Sequence, residues 1–319
     1  MCDMPHLSYK TGFTNPKTGK EKIKFLNRID MSFEDAKNKY GKDLVLIPCG
    51  HCASCMKSYS YQWAIRLMAE SLYHEESCFL TLTYDNKHLP KKNVFDDDGV
   101  FKGVVHPLVK KDLQDFMKRL RFYFPDRKLS FFACGEYGEV GSRPHYHMIL
   151  FGLKFNDLDT ISYNALGQPL YTSKTLSSIW KNGLVSIGEV TAESCGYVSR
   201  YSLKKQISGI KSDEFVLMSR RPAIGKQFYL DHKDELYETD RLYCKSFKSS
   251  AIPRYFDKLA EVDYDVFPDY ELAKTKRAKR SEARQYQDVI AYGLHHIEEA
   301  QVFNYWKHID ATHILRRCL

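Results

Sequence analysis

The sequence lacks any apolar run that approaches the ~20 residues a helix needs to cross a bilayer. Its first residues, Met-Cys-Asp-Met-Pro-His, have neither the charged nor the apolar region of a signal peptide. It also has no internal repeat and no glycine-rich phosphate loop of the Walker type. We therefore expect a soluble protein of a reducing compartment, with no membrane partner and no helicase module of its own.

A disulfide framework is not indicated either, because the nine cysteines are odd in number and dispersed along the chain. Cys49, Cys52 and Cys55 are spaced like half of a zinc or iron–sulfur site, but Tyr59 stands where an iron–sulfur run would have its next thiol. A structural Zn²⁺ held by these three thiols and a distant Cys or His is one interpretation. A tight turn before a helix is the other.

The composition indicates a sizeable hydrophobic core and a polyanionic partner. Of the 319 residues, 43% are hydrophobic and 14% aromatic, which suits one large domain or a domain with an extension. The formal net charge of +8 favours a polyanion as the partner. We divide the chain into a polar lead-in at 1–48, a core at 49–210 and a basic, mainly helical C-terminal extension at 211–319.

Hydrophobic periodicity predicts an α+β fold. The main predicted elements are a short helix at 33–40, a helix at 53–75, a strand at 78–84, a helix from Pro107, a hairpin at 131–152, a strand at 183–190 and a helix at 194–205. This order fits an antiparallel sheet of four or five strands that is backed on one face by helices.

The predicted hairpin carries two histidines and a carboxylate in a pattern that can bind a metal. His145 and His147 project from one face of the second strand, roughly 7 Å apart at their Cα atoms, because side chains alternate along a strand. Neutral imidazole is the commonest metal ligand. Glu136 ends the first strand beside the histidines, and Glu139 in the turn is the competing third ligand. A pair of solvated polar residues at a strand edge is the alternative interpretation.

The predicted helix at 194–205 brings together side chains suited to phosphate chemistry. Tyr197 and Tyr201 are four residues apart and share one face of the helix. Lys204 and Lys205 lie one turn further along that side. Paired tyrosines on a helix are usually packing residues, which is the alternative to a catalytic role.

Segments spread over residues 48–258, in the same order, resemble the replication initiators of gokushovirus-type microviruses. These are small single-stranded DNA phages, and their initiators are endonucleases with a His-hydrophobic-His (HUH) motif. The segments are Pro-Cys-Gly-His-Cys-Ala-Ser-Cys (48–55), Phe-Leu-Thr-Leu-Thr-Tyr (79–84), Gly-Glu-Tyr-Gly through Arg-Pro-His-Tyr-His (135–147), Tyr-Val-Ser-Arg-Tyr-Ser-Leu-Lys-Lys (197–205), Leu-Met-Ser-Arg-Arg-Pro-Ala-Ile-Gly (217–225) and Ile-Pro-Arg-Tyr-Phe-Asp-Lys (252–258). The middle residue of the histidine motif is the aromatic Tyr146 rather than an aliphatic residue.

The resemblance implies a ferredoxin- or RRM-like HUH endonuclease core over 49–210 that nicks and rejoins DNA at a replication origin. Tyr197 or Tyr201 would attack the scissile phosphate and form a covalent 5′-phosphotyrosine, which leaves a 3′-hydroxyl to prime rolling-circle replication. Lys204 and Lys205 would bind phosphate and lower the pKa of the attacking phenol from its reference value near 10.

The resemblance also implies a cofactor and partners. His145, His147 and Glu136 would hold a divalent metal, Mg²⁺ or Mn²⁺, that acts as a Lewis acid. Two imidazoles and a carboxylate suit Mn²⁺ better than Mg²⁺, which prefers oxygen ligands. The expected partners are single-stranded DNA, the origin duplex, and the host helicase and polymerase, in the cytoplasm of a bacterial host.

Two other functional classes stay open on the sequence. A non-catalytic single-stranded nucleic-acid-binding protein with a ferredoxin-like sheet would stack bases on its aromatic residues, and its histidines would be incidental. A non-haem iron oxygenase would use the same arrangement of two histidines and one carboxylate. Metal-dependent cleavage of DNA distinguishes the predicted endonuclease from both.

Overall fold

The computed structural model describes residues 2, 4–16, 21–27, 30–138, 142–207, 214–244, 247–294, 296 and 299. The chain forms two compact units, one made of Met1–Tyr59 and Pro268–Leu319 and the other of Ser60–Phe267. The three segments drawn from the sequence stay a prediction.

Fourteen strands lie within these described residues: β1 (His6–Thr14), β2 (Glu21–Phe25), β3 (Leu44–Ile47), β4 (Ser77–Tyr84), β5 (Lys92–Phe95), β6 (Phe101–Val105), β7 (Ser130–Tyr137), β8 (Pro144–Phe151), β9 (Leu158–Tyr163), β10 (Pro169–Ser173), β11 (Gly183–Gly188), β12 (Phe215–Met218), β13 (Leu242–Cys244) and β14 (Phe247–Ser250). The same residues include eight α-helices: α1 (Phe33–Tyr40), α2 (Ala53–Ser71), α3 (Lys110–Tyr123), α4 (Lys174–Trp180), α5 (Ala192–Ile207), α6 (Lys226–Thr239), α7 (Arg254–Ala260) and α8 (Phe267–Ala291). None of the helices in the described part of the chain combines the length and the apolar composition of a membrane span.

The first unit contains a three-stranded antiparallel sheet in the order β2-β1-β3, together with α1. Helix α1 has the predicted bounds, and its N-terminus is capped by Ser32, whose Oγ accepts a hydrogen bond from Asp35 N at 3.1 Å. Leu7, Phe33 and Ala36 are buried together in this unit. The sheet was not predicted, because most residues of β1 and β2 are exposed and carry no apolar alternation.

The second unit is built around a seven-stranded sheet in the order β12-β7-β8-β4-β11-β10-β9, with every neighbouring pair antiparallel. The sheet is larger than the four or five strands predicted. The unexpected strands are β9 and β10 at one edge, where the sequence is polar. Five of the six residues of β9 are exposed, so the strand has no buried face that a hydrophobic pattern could reveal.

One face of this sheet packs on α3 and α4. Alternate residues of β4, including Leu80 and Leu82, point into this layer, as predicted from their spacing. They meet Phe116 of α3 and Trp180 of α4, both fully buried. Each fully buried side chain of this size contributes about 1.5–3 kcal/mol relative to an exposed one.

The other face of the sheet packs on α2 and α5. Trp63 and Leu67 of α2 join Val198 of α5 in a cluster with Phe132 of β7 and Ile149 of β8. Helices therefore cover both faces of the sheet rather than the single face predicted. Element order alone could not reveal this, because α2 and α5 lie at the two ends of the core sequence.

Tyr146, between the two histidines of β8, is fully buried on the face opposite to them. Its hydroxyl donates to the Val109 carbonyl oxygen at 2.9 Å and accepts from the Val109 N–H at 3.1 Å. The Tyr84 hydroxyl lies 2.6 Å away and donates to Asp112 Oδ2 at 2.5 Å. Burial raises the pKa of Tyr146 to about 12, so the phenol stays neutral. This network ties β8 to the start of α3 and fixes which face the histidines occupy.

Replacing Tyr146 with Phe removes the hydroxyl from this network and leaves the Val109 N–H without its acceptor. We expect Tyr146→Phe to lower the free energy of unfolding by about 1–3 kcal/mol, measured by urea titration. The matched control is Tyr163→Phe on β9, a side chain that is 67% exposed and should change stability by less than about 0.5 kcal/mol. Equal effects of the two substitutions would contradict a structural role for the buried hydroxyl.

Candidate functional site

The pairing of β7 with β8 assembles the candidate site. The antiparallel register places Glu136 directly opposite His145, and Cys134 opposite His147. Since side chains alternate along each strand, the glutamate and both histidines share one face of the sheet, the face covered by α5. Glu136 Oε1 lies 2.8 Å from His145 Nε2 and 2.7 Å from His147 Nε2.

Each imidazole is held in place by a second contact on its other nitrogen. His145 Nδ1 donates to the Arg143 carbonyl oxygen at 3.1 Å. His147 Nδ1 lies 3.0 Å from the hydroxyl of Thr81 on the neighbouring strand β4. These contacts turn both Nε2 atoms towards the glutamate, and a partner on the second ring nitrogen is a usual feature of metal-binding histidines.

The electrostatics of Glu136 suit a metal ligand. Its side chain is buried, with 2% of the residue exposed. Burial alone would raise the pKa of the carboxyl, but hydrogen bonds to His145 and His147 outweigh burial and lower the pKa to about 2. The carboxylate is therefore ionised at neutral pH and needs positive charge beside it.

Glu136, His145 and His147 could together hold a metal ion, since one donor atom from each lies within 4.8 Å of the others. Two donor atoms bound at about 2.1 Å and at right angles lie about 3 Å apart, close to the separations between the glutamate oxygen and the two imidazole nitrogens. Two nitrogens and one oxygen form a donor set suited to Mn²⁺. Glu139, the competing third ligand in the prediction, lies outside the described residues.

Helix α5 places one of the two predicted tyrosines at this group. The Tyr197 hydroxyl lies 3.4 Å from Glu136 Oε1 and 3.5 Å from His147 Nε2. The Tyr197 ring meets the His147 ring edge to face at a centroid distance of 5.0 Å. Cys195 and Val198, its near neighbours on the helix, are fully buried against the sheet, which fixes the phenol above the histidines.

The backbone of α5 includes the other predicted site residues, but their side chains, those of Tyr201, Lys204 and Lys205, lie outside the described residues. Their proposed roles stay predictions. Arg200, which was not singled out from the sequence, has its guanidinium carbon 5.9 Å from the centre of the Tyr197 ring.

Sequence reasoning missed two side chains that shape the site. Thr81 contacts His147, and Phe79 stacks parallel to the His147 ring with centroids 5.6 Å apart. Both lie on the side of β4 that the alternating pattern had placed away from the main core. The pattern showed the direction in which they point, but it could not show which strand is the neighbour of β4.

The basic side of α3 does not lie at the site, because α3 packs on the opposite face of the sheet. Part of its charge is used within the fold. Arg119 donates to the carbonyl oxygens of Ile179 at 2.7 Å and Trp180 at 3.1 Å, and Lys118 pairs with Asp115 at 3.2 Å.

A second group of potential metal ligands lies in the first unit. Cys2, Cys49, Cys52 and Cys55 have their sulfur atoms within 4.8 Å of one another. Three of these cysteines are the run singled out from the sequence, and Cys2 is the distant fourth thiol.

Thr81→Val keeps the shape of the side chain but removes the hydroxyl that holds His147. We expect this substitution to weaken Mn²⁺ binding at the histidine pair by about 10-fold or more, as is typical when the partner of a metal-binding histidine is lost. Isothermal titration of the metal-free protein measures the change. Thr83→Val, two residues further on the same side of β4, is the control and should bind Mn²⁺ as the unmodified protein does. Equal affinities of the two variants would show that Thr81 does not support the site.

Comparison with known proteins identifies relatives over most of the chain. A profile of the replication-associated protein ORF2 family matches residues 77–206. The chain is 31% identical to the replication-associated protein ORF2 of Spiroplasma virus 4 over 257 residues, which is 76% of this chain and 77% of that protein. It is 32% identical to the replication-associated protein ORF4 of Chlamydia phage 1 over 248 residues, 72% of this chain and 58% of that protein. It is 29% identical to the replication-associated protein VP4 of Bdellovibrio phage phiMH2K over 224 residues, 68% of this chain and 69% of that protein.

No solved structure matches the chain. The matched residues 77–206 begin at β4 and end in α5, so they contain the glutamate, both histidines and Tyr197. The relatives confirm the resemblance on which the sequence motifs agreed. The chain belongs to the family of replication-associated proteins of microviruses.

Proposed function

We propose that this protein initiates replication of phage DNA by cutting one strand at the origin and later rejoining it, in a metal-dependent reaction. The observation that carries the proposal is the distance from the Tyr197 hydroxyl to the metal-ligand group, 3.4 Å to Glu136 Oε1 and 3.5 Å to His147 Nε2. A phenol so close to a set of metal ligands is placed to attack a phosphate group. Membership of a family of phage replication-associated proteins supports the same function.

In this proposal Glu136, His145 and His147 hold a divalent cation, Mg²⁺ or Mn²⁺. When bound, the cation supplies Lewis-acid stabilisation of the charge on the non-bridging phosphate oxygens. Thr81 and the Arg143 carbonyl keep the imidazole rings in the orientation that binding needs. The low pKa of Glu136 keeps its carboxylate ready without a separate deprotonation step.

Tyr197 is the nucleophile of the first cut. Its phenol loses a proton, the phenolate oxygen bonds to phosphorus, and the bond from phosphorus to the 3′ oxygen breaks. The 3′ oxygen takes up a proton and leaves as a 3′-hydroxyl that can prime synthesis, while the 5′-phosphate stays on the tyrosine. Arg200 beside the ring, with Lys204 and Lys205 further along α5, adds positive charge that favours the phenolate and binds phosphate.

Tyr201 supplies a second nucleophile one turn along the same helix. After one round of rolling-circle synthesis it attacks the regenerated origin, and the 3′-hydroxyl released in that cut then displaces Tyr197 from the first 5′-phosphate. Two tyrosines on one helix allow a single protein molecule to cut and rejoin without leaving the DNA.

The arrangement of the core elements supports a ferredoxin-like fold of the HUH type. The order β4-α3-β7-β8-α4-β11, with β7-β8-β4-β11 as neighbours in the sheet, repeats a strand-helix-strand unit twice. The net charge of +8 suits single-stranded DNA and the origin duplex as substrates. We propose that a host helicase separates the strands and a host polymerase extends the 3′ end, in the bacterial cytoplasm.

Single substitutions of the two tyrosines test the order of the cuts. With a single-stranded origin oligonucleotide and Mn²⁺, Tyr197→Phe should slow the first cleavage by about 100-fold or more, because the attacking oxygen is lost. Tyr201→Phe should leave it within about threefold, and mass spectrometry should find the 5′-phosphate on Tyr197. An adduct on Tyr201 in the unmodified protein would contradict the assignment of the first nucleophile.

Loss of a metal ligand tests the role of the cation. His147→Ala should reduce cleavage by about 100-fold or more while DNA binding is kept, and EDTA should abolish cleavage until Mn²⁺ is restored. His88→Ala, an exposed histidine paired with Asp85 at 2.9 Å, is the matched control and should cleave normally. DNA binding without cleavage under any divalent metal would contradict the proposal and favour a non-catalytic binding protein. Iron-dependent oxygen consumption without a DNA adduct would contradict it in favour of an oxygenase.

A further inference from the structure

The sheet of the first unit brings four distant thiols together. Strands β1 and β3 are antiparallel, with His6 opposite Ile47. The chain before β1 and the chain after β3 therefore leave the sheet at the same end. This pairing brings Cys2 to the turn that contains Cys49 and Cys52, although almost fifty residues separate them in sequence.

The cysteine turn is built like a site for thiolate ligands. Cys49 Sγ accepts hydrogen bonds from His51 N at 3.5 Å and Cys52 N at 3.3 Å. Gly50 lies between them with φ +78°, a conformation that favours glycine and that folds the backbone N–H groups around the sulfur. Hydrogen bonds from N–H groups stabilise a negatively charged sulfur more than a neutral one.

The other sulfurs have similar support. Cys2 Sγ accepts from Cys49 N at 3.2 Å, and Cys52 Sγ accepts from Cys55 N at 3.4 Å. Cys55 lies in the first turn of α2, which begins at Ala53, so the positive end of the helix favours thiolates here. Three of the four sulfurs thus accept a backbone N–H, and the helix supports the fourth.

We infer that Cys2, Cys49, Cys52 and Cys55 bind a structural Zn²⁺ ion with four sulfur ligands. Tetrahedral zinc with Zn–S bonds of about 2.3 Å places its sulfurs about 3.8 Å apart. Cys2 Sγ and Cys52 Sγ are 3.8 Å apart, and all four sulfurs lie within 4.8 Å of one another. The inference does not depend on the proposed nicking activity, because the site lies in a different unit from the histidines.

The sulfur positions fit zinc better than the other states of a cysteine cluster. A disulfide needs sulfurs about 2.05 Å apart, and all four cysteines are free thiols. A four-iron cluster puts each thiolate on a different iron, which needs a wider spacing. Four protein ligands also leave no open position on the ion, as in structural rather than catalytic zinc sites.

Such an ion would cross-link the segment before β1 to the turn that leads into α2. A small, largely exposed three-stranded sheet has little apolar area to bury, so a metal cross-link compensates for a weak core. The role is structural: the ion holds the N-terminal strand in register with β3.

Zinc content and X-ray absorption spectroscopy of the full-length protein test the inference. The His147→Ala background removes the second metal group from the measurement. After dialysis against a weak chelator we expect about one Zn²⁺ per chain, with four sulfur neighbours at about 2.3 Å. Cys2→Ala, which precedes the first strand and interrupts no element, should weaken zinc binding by about 100-fold or more and reduce the sulfur neighbours to three.

Cys78→Ala is the matched control, since this buried cysteine lies in the second unit and should leave zinc content and sulfur count unchanged. Four results would overturn the inference: no bound zinc in the unmodified protein, an iron–sulfur absorption spectrum, a disulfide that includes Cys2, or unchanged zinc binding by Cys2→Ala. Circular dichroism of Cys2→Ala confirms that any loss of zinc is not a loss of the whole fold.

Discussion

The register between β7 and β8 is the constraint on which the site depends. It places Glu136 opposite His145 and leaves His147 two residues further on the same face. A slip of one residue would turn the glutamate or the histidines to the other side of the sheet. Tyr146 opposes such a slip, because its buried hydroxyl is bonded to the start of α3 on the far side. The residue between the histidines thus secures the direction in which they point.

A buried carboxylate is costly unless positive charge or hydrogen-bond donors surround it. Glu136 meets this requirement with two imidazoles at 2.7 and 2.8 Å, and a divalent cation would meet it more fully. The nearby phenol of Tyr197 gains its position from packing, since Cys195 and Val198 on either side of it are buried against the sheet. Sheet pairing and helix packing together bring an acid, two bases and a nucleophile into one small volume.

The local part of this arrangement could be predicted from the sequence, and the non-local part could not. Strand alternation and a short turn were sufficient to bring Glu136 to the histidines, because the three residues lie within one hairpin. Thr81 is 66 residues from His147, and Cys2 is 50 residues from Cys52, so both depend on strand pairings that local periodicity does not encode. Strands β9 and β10 were missed for a different reason, since an exposed edge strand has no apolar alternation to detect.

The most direct test is a crystal structure of Tyr197→Phe with a single-stranded origin oligonucleotide and Mn²⁺, with the metal located by anomalous scattering. The account predicts one Mn²⁺ about 2.1–2.3 Å from the Nε2 atoms of His145 and His147, with Glu136 and a phosphate oxygen as further ligands. The phosphorus should lie in line with the position of the missing Tyr197 oxygen. A metal bound elsewhere, or a DNA strand that does not approach the histidine face, would contradict the account.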